Sequence, residues 1–429
     1  LVVTIIIVFT NHHNDDDSKS DGGGGGETNL PKIIYQWSAV EYTSTCGNAY
    51  TVKNNVITGI KVYKGTVYVT VPRWKRGVPS TISTLPALSG ERLDNPKLRP
   101  WPSCKWQDIA SGEEMHTLYY VQSMEITPNG WMWIIDVGRM FFAESNPDNT
   151  HRPKIVIWDL NTNRTVTTYI FPNEIAPYSG SFLNDIVVDP IAQIAYISDA
   201  GGDGAVISYN RKTNETTRYS GVSTSIDPSY RMVIQNVDYG TDNFTTPADG
   251  IALSCSFEWV YFCPLHATKL YRIPAKVLAN SSLSASTMNN SVEFVAERPS
   301  SADGLTITSK GLLFAGGLTS ASLYTYDATD SENSRRSDDS GSFVDSTDSI
   351  NSGRFRDSRR LSPLSTLYRD TETMVWVDTF AYNDEHDSIL WTTNMLNRFF
   401  TTDTYGSDSS TRIRVFELKG HRPYLMGCE

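Results

Sequence analysis

The chain has 429 residues, with 37 Lys and Arg against 48 Asp and Glu, a formal net charge of −11. Hydrophobic residues make up 39% and charged residues only 20%, which supplies a core and argues against a mostly disordered chain. The acidic balance without a basic block argues against a dedicated nucleic-acid binder. No apolar run reaches the ~18 residues needed to span a bilayer.

Residues 1–10, LVVTIIIVFT, have the length and composition of a secretory signal h-region and read as the remnant of one. A truncated membrane anchor and a buried strand are the alternatives. Residues 11–31 are polar and Gly-rich and read as a flexible acidic linker. From residue 32 onward, short β-branched and aromatic runs are separated by Gly, Asn, Asp and Pro, an all-β pattern. The runs recur as triplets. GIKVYKGTVYVTVPRW opens the series. VQSMEIT, WMWIIDVG and PKIVIWDL follow, then LNDIVVDP, AYISDA and AVISYN, then ADGIALS, VYFCPL and KLYRIP. ADGLTIT, LLFAGG and SLYTYD come next, and VDTFAYN, ILWTTN and RIRVFEL close it. Each triplet with a more variable fourth strand predicts one four-stranded antiparallel blade, and six such units predict a six-bladed β-propeller around a central channel over residues 32–429. An insert at about 328–363 is rich in Ser, Asp and Arg and is expected to be disordered.

Five cysteines, Cys46, Cys104, Cys255, Cys263 and Cys428, form no CxxC or Cys/His cluster, so no zinc site is expected. Two disulfides and one free thiol suit an oxidising compartment. Cys255 and Cys263 flank a predicted hairpin turn and could pair across it. Cys46 could pair with Cys428, pinning ring closure, or with Cys104. Asn163, Asn214, Asn243, Asn280 and Asn289 lie in glycosylation sequons.

In a propeller the start of each inner strand and the end of the next strand share one face. One set of residues gathered there is Ser123, Asn184, Asp185, Asp249, Asp303, Asp378 and Thr379. The other is Asp136, Asp199, Pro264 to His266, Gly316, Gly317 and Asn394 to Leu396. The result is a polar, acidic mouth suited to a small ligand. Aspartates at strand starts also cap turns through their own backbone. His266 is the only histidine in this ring. No nucleophile elbow, phosphate loop or HExxH is present, and no cofactor is expected.

The ordered set RWKRGVPSTI, LRPWPS, VQSMEIT with WMWIIDVGR, FLNDIVVD with AYISDAG, ADGIALS with VYFCPL, SADGLTI with LLFAGGL, and DTFAY with LWTTNMLNRF resembles the yellow / major royal jelly protein family. The resemblance spans about Ile57–Leu418 and implies a secreted, extracellular six-bladed propeller. Family roles include cuticle pigmentation, dopachrome rearrangement, nutritive proteins and salivary binders of biogenic amines. In the amine binders a Thr, an Asn and an aromatic residue hold the ligand. By motif these positions are Thr379, Asn394 and Leu396, the last not aromatic. Gln122 stands where a Tyr is often found, and His266 and Asn184 complete the candidate ligand set. The first expectation is therefore a secreted binder of a small biogenic amine or catechol. The alternatives are a dopachrome-converting enzyme with His266 or an Asp as base, a structural or nutritive protein without a specific ligand, and a lactonase-like hydrolase with a divalent cation on Asn184 and Asp249 or Asp303.

Overall fold

The repeat becomes structure through one hairpin chemistry. In three hairpins of the second and third blades a strand ends on Asp or Asn, whose side chain accepts two N–H groups of the turn. Asp159 takes those of Asn161 and Thr162, Asp189 those of Ile191 and Ala192, and Asn210 those of Lys212 and Thr213. The turn then closes on a residue with positive φ: Asn163 at 53°, Gln193 at 60° and Asn214 at 58°. Asn adopts that conformation more readily than most residues. Two sequon asparagines thus have a local structural reason to be Asn. Asn163, Asn214, Asn280 and Asn289 are exposed, while Asn243 lies outside the described residues.

The computed structural model describes residues 30–87, 90–239, 245–329, 364–401, 405–406, 409–410 and 412–429. Nearly all of residues 1–31 and of the 328–363 insert therefore lie outside the described residues. Six four-stranded antiparallel blades form a six-bladed β-propeller. Their inner strands, in order, are Ile60–Tyr63, Val121–Ile126, Leu183–Asp189, Ala248–Leu253, Leu305–Ile307 and Trp376–Asn383. Each inner strand packs against those of the neighbouring blades, and the last against the first. Val121–Ile126 and Ala248–Leu253 are buried at every position, because blades cover both faces and alternation disappears. The outer strand Arg164–Ile170 is nowhere fully buried.

The ring closes by strand exchange. The sixth blade takes Trp376–Asn383, Ser388–Asn394 and Ile413–Lys419 from the end of the chain, and its outer strand, Lys32–Trp37, from the beginning. Tyr35 and Trp37 of that strand are buried, and the Trp37 indole donates to the Pro96 carbonyl at 2.9 Å. The disulfides are Cys46–Cys104 and Cys255–Cys428, with Cys263 free and buried. The Cys255–Cys263 and Cys46–Cys428 pairings are therefore not formed, and ring closure needs no disulfide. Cys428 instead holds the C-terminal tail beneath the channel. The tail pairs Pro423 with Thr308, and the Ser309 N–H donates to the Arg422 carbonyl. The buried Tyr424 phenol accepts from the Val188 N–H at 3.0 Å and donates to Glu125 at 3.3 Å. Glu125, Val188 and Thr308 stand at or near the lower ends of three inner strands, so the tail closes that end of the channel.

Truncating Trp37 to Ala should cost about 3–5 kcal/mol of stability, the usual loss for a fully buried Trp. Urea unfolding measures it, and a loss below about 1 kcal/mol would mean the exchanged strand is not what holds the ring closed.

Candidate functional site

Every inner strand begins with the same irregularity. Two residues face one on the next strand, a β-bulge: Gln122–Ser123, Asn184–Asp185, Asp249–Gly250 and Asp378–Thr379. Backbone hydrogen bonds place Thr58–Gly59 and Asp303–Gly304 equivalently. A bulge re-aims side chains, and here it turns them toward the propeller axis. Gly59, Gln122, Ser123, Asn184, Asp185, Asp303, Asp378 and Thr379 line one axial cavity. Its free space is about 240 Å³ including its opening, of which about 10 Å³ can hold the centre of a water molecule. That is room for roughly one water or one small charged head group, not for a ring. Gly250 and Gly304 are required because a Cβ would collide with the carbonyls of Asp303 and Asp378 in the next blade.

A belt of hydrogen bonds at this level links all six blades. Thr70 Oγ1 donates to the Gln122 carbonyl at 2.8 Å, and Ser123 Oγ to Asp185 at 2.8 Å. The Asn184 amide donates to Asp249. The carboxyl groups of Asp249 and Asp303 hydrogen-bond to each other, and the Gly304 N–H donates to the Asp378 carbonyl at 2.7 Å. Thr392 Oγ1 donates to the Thr58 carbonyl at 2.8 Å, returning to the first blade. Asn394 bridges the same joint, donating to Asp378 at 2.7 Å and to the Ile57 carbonyl at 3.2 Å. The Trp376 indole donates to Asp303 at 2.6 Å.

The electrostatics follow from burial. Asp249, Asp303 and Asp378 titrate well above 3.8, chiefly through desolvation; at Asp303 and Asp378 a neighbouring carboxyl adds the next largest push. Asp185 and Glu125 are raised for the same first reason, while Lys61, 3.3 Å from Glu125, opposes it. Two carboxyl groups can hydrogen-bond only if one carries a proton, so Asp249 and Asp303 share one. This is a site short of positive charge.

In four of the six blades the residue facing the bulge supports it. Thr70, Ser198 and Thr392 accept the N–H of Gly59, Asp185 and Thr379 at 2.8, 3.0 and 3.3 Å. In the fourth blade Cys263 takes this place. Its sulfur receives the Gly250 N–H, and its thiol donates to the Ala302 carbonyl at 3.8 Å. Burial pushes the thiol pKa up, so the free cysteine is a bulge support and not a nucleophile.

Of the sequence candidates, Gln122, Asn184 and Thr379 come together on the cavity, with Asn394 directly behind Asp378. Leu396 and His266 do not join them. Leu396 is buried in the core at the start of the helix Leu396–Thr401, and its N–H donates to Asn394. His266 is buried with Nδ1 accepting the Thr246 N–H at 2.9 Å. Asp136 and Asp199 are clamps and not part of the mouth. Asp136 pairs with Lys154 at 2.7 Å and accepts the N–H groups of Tyr119 and Tyr120. Asp199 pairs with Arg218 at 2.6 Å and accepts the Phe182 N–H. They fix aromatic residues that the sequence reading passed over. Tyr120 donates to Gln122 at 2.9 Å, so a phenol arrives from two residues earlier on the same strand face. Its ring meets Phe142 and Phe182, which lie 5.2 Å apart edge to face and are partly exposed. Extending the motif by two residues, one strand period, finds Tyr120 and Phe182. Phe142, in a loop, carries no such signal. Among the described residues no group of three or more His, Cys, Asp and Glu is arranged to hold a metal.

Two outcomes follow. Cys263→Ser should unfold within about 1 kcal/mol of wild type, whereas Cys263→Val should lose about 1–3 kcal/mol by stranding the Gly250 N–H. Equal stability of the two variants in urea would contradict the support role. For Asp303, a pKa above the unfolded value means folding takes up protons, so its contribution to stability falls as pH rises from about 4 toward neutral. Asp303→Asn keeps the hydrogen bonds without the charge. Its stabilisation over wild type should therefore grow with pH across that window, and a pH-independent difference in melting temperature would refute the assignment.

Residues 120–341, just over half of the chain, match the family described as major royal jelly protein. Similar proteins include Major royal jelly protein 5 of Apis mellifera, 26% identical over 279 residues covering 61% of this chain and 44% of that one. Dopaminechrome tautomerase of Drosophila melanogaster is 23% identical over 280 residues, covering 59% and 57% respectively. Protein yellow of Drosophila melanogaster is 21% identical over 284 residues, covering 62% and 51%. The chain spans about half the length of the curated relatives it matches.

Proposed function

The chain belongs to the major royal jelly protein family, and from that premise we propose that it is a secreted protein binding a small amine or catechol derivative at the upper mouth of its axial channel. The observation that carries this reading is the bulge-layer cavity. It is lined by Asp185, Asp303 and Asp378 and has room for one small head group. An ammonium reaching down the axis would receive charge-assisted hydrogen bonds from carboxylates, while its ring stays above, beside Phe142 and Phe182. Thr379 and Gln122 add hydroxyl and amide groups for ring oxygens. A location outside the cell is supported by the two disulfides and four exposed sequons.

Titration calorimetry with dopamine, serotonin, octopamine and histamine tests the reading. At least one should bind, and Asp378→Asn should weaken it by about tenfold or more, the worth of one buried charged hydrogen bond. Affinity for dopamine, serotonin or octopamine should rise with pH through the raised carboxyl values, since their ammonium keeps its proton up to pH ~10 and only the carboxyl groups change. No binding by any amine, or affinity indifferent to Asp378, would sink the proposal.

A second reading, catalysis, is favoured by the shared proton of Asp249 and Asp303 and by the tautomerase relative. Tautomerisation of an aminochrome takes a proton from carbon and returns one elsewhere, with no net oxidation. Asp303, on the cavity wall, can accept while its partner resupplies. The expected result is dopaminechrome conversion faster than the spontaneous rate and lost in Asp303→Asn. A rate equal to the uncatalysed one rejects catalysis and leaves binding intact.

A further inference from the structure

Arg139 stands out among the arginines. It follows the second strand of the second blade, Trp131–Asp136, on the mouth face of the propeller. Its neighbours are pinned. Gly138 has φ 73° and presses against the His151–Arg152 backbone. Met140 pairs with Asp148 through two backbone hydrogen bonds of 2.8 and 2.9 Å. The guanidinium between them lies over the Phe142 ring, 5.3 Å from its centroid. Among the described residues it makes no hydrogen bond and no ion pair, and its Nε is buried without a partner. Three other buried or half-buried arginines show what satisfaction looks like: Arg73 makes six hydrogen bonds, Arg298 four, and Arg218 pairs with Asp199.

A guanidinium cannot lose its charge under ordinary conditions and presents a planar fork that fits a carboxylate. We propose that Arg139 receives a carboxylate of the ligand, so that the mouth selects small aromatic amines that also carry an acid over amines that lack one. This rests on the channel reading above and adds the ligand's second charged group. Three groups then divide the ligand. The carboxyl layer takes the ammonium, Phe142 and Phe182 flank the ring, and Arg139 takes the acid. The Tyr120 ring, against Phe142 and Phe182, links the aromatic pair to Gln122 of the cavity wall.

The test compares matched pairs by calorimetry: 4-(aminomethyl)benzoate against benzylamine, and 4-(2-aminoethyl)benzoate against phenethylamine. In wild type the acid of at least one pair should bind about tenfold more tightly than its amine, the ratio expected of a bidentate charged contact. In Arg139→Gln that preference should collapse to within about threefold, and Arg139→Lys should restore part of it. Unchanged melting temperatures show that the variants fold. Amines binding without preference, or a preference retained in Arg139→Gln, overturn the assignment and leave the channel reading standing. Binding by neither member of either pair overturns both.

Discussion

A closed belt of hydrogen bonds at one level of the propeller governs the rest of the molecule. Each blade opens with a bulge, and each bulge hands a hydrogen bond to the next blade, from Thr70 and Gln122 around to Thr392 and Thr58. The geometry that joins the blades also gathers carboxyl groups on the axis. Burial, and after it repulsion between neighbouring carboxyl groups, raises their pKa values, most at Asp249, Asp303 and Asp378. Proton sharing and hydrogen bonds from Asn184, Trp376 and Asn394 keep the layer intact. The cost of holding these acids together is what makes a cation welcome.

The blades were legible in the sequence because β-branched runs and Asp or Asn turns are local signals. The triplet VQSMEIT, WMWIIDVG and PKIVIWDL carries its own hairpins and its own alternation. The closing strand Lys32–Trp37 was not legible as part of the last blade, since its partner Ile413–Lys419 lies at the other end of the chain. Of the disulfides, Cys46–Cys104 was among the pairings left open, and the partner of Cys255 was missed for the same reason. Cys255 and Cys263 are close in sequence, yet Cys255 points to the tail and Cys263 to a bulge. Contacts of long sequence separation leave no periodicity behind.

The site was legible in part. Aligned strand starts located Asn184, Asp303, Asp378 and Thr379 on the axis. Composition cannot distinguish an aspartate facing a cavity from one clamped by Lys154 or Arg218, so Asp136 and Asp199 were grouped with the wrong set. Leu396 shows the converse. It occupies the expected position in the motif but faces the core, and the aromatic surface lies across the mouth at Phe142 and Phe182. A ligand ring held there would meet the second and third blades, with its amine directed toward the fifth and sixth.

The central claim is that the bulge layer is an incompletely ionised acid cluster awaiting a cation. It is tested most directly by counting protons as an amine binds, through calorimetry in buffers of different ionisation enthalpy near pH 6. An ammonium entering the layer lowers the raised carboxyl pKa values, so the account predicts net proton release, reduced in Asp303→Asn. Binding with no proton exchange, or with uptake, would mean the ligand sits elsewhere and the carboxyl layer serves only to join the blades.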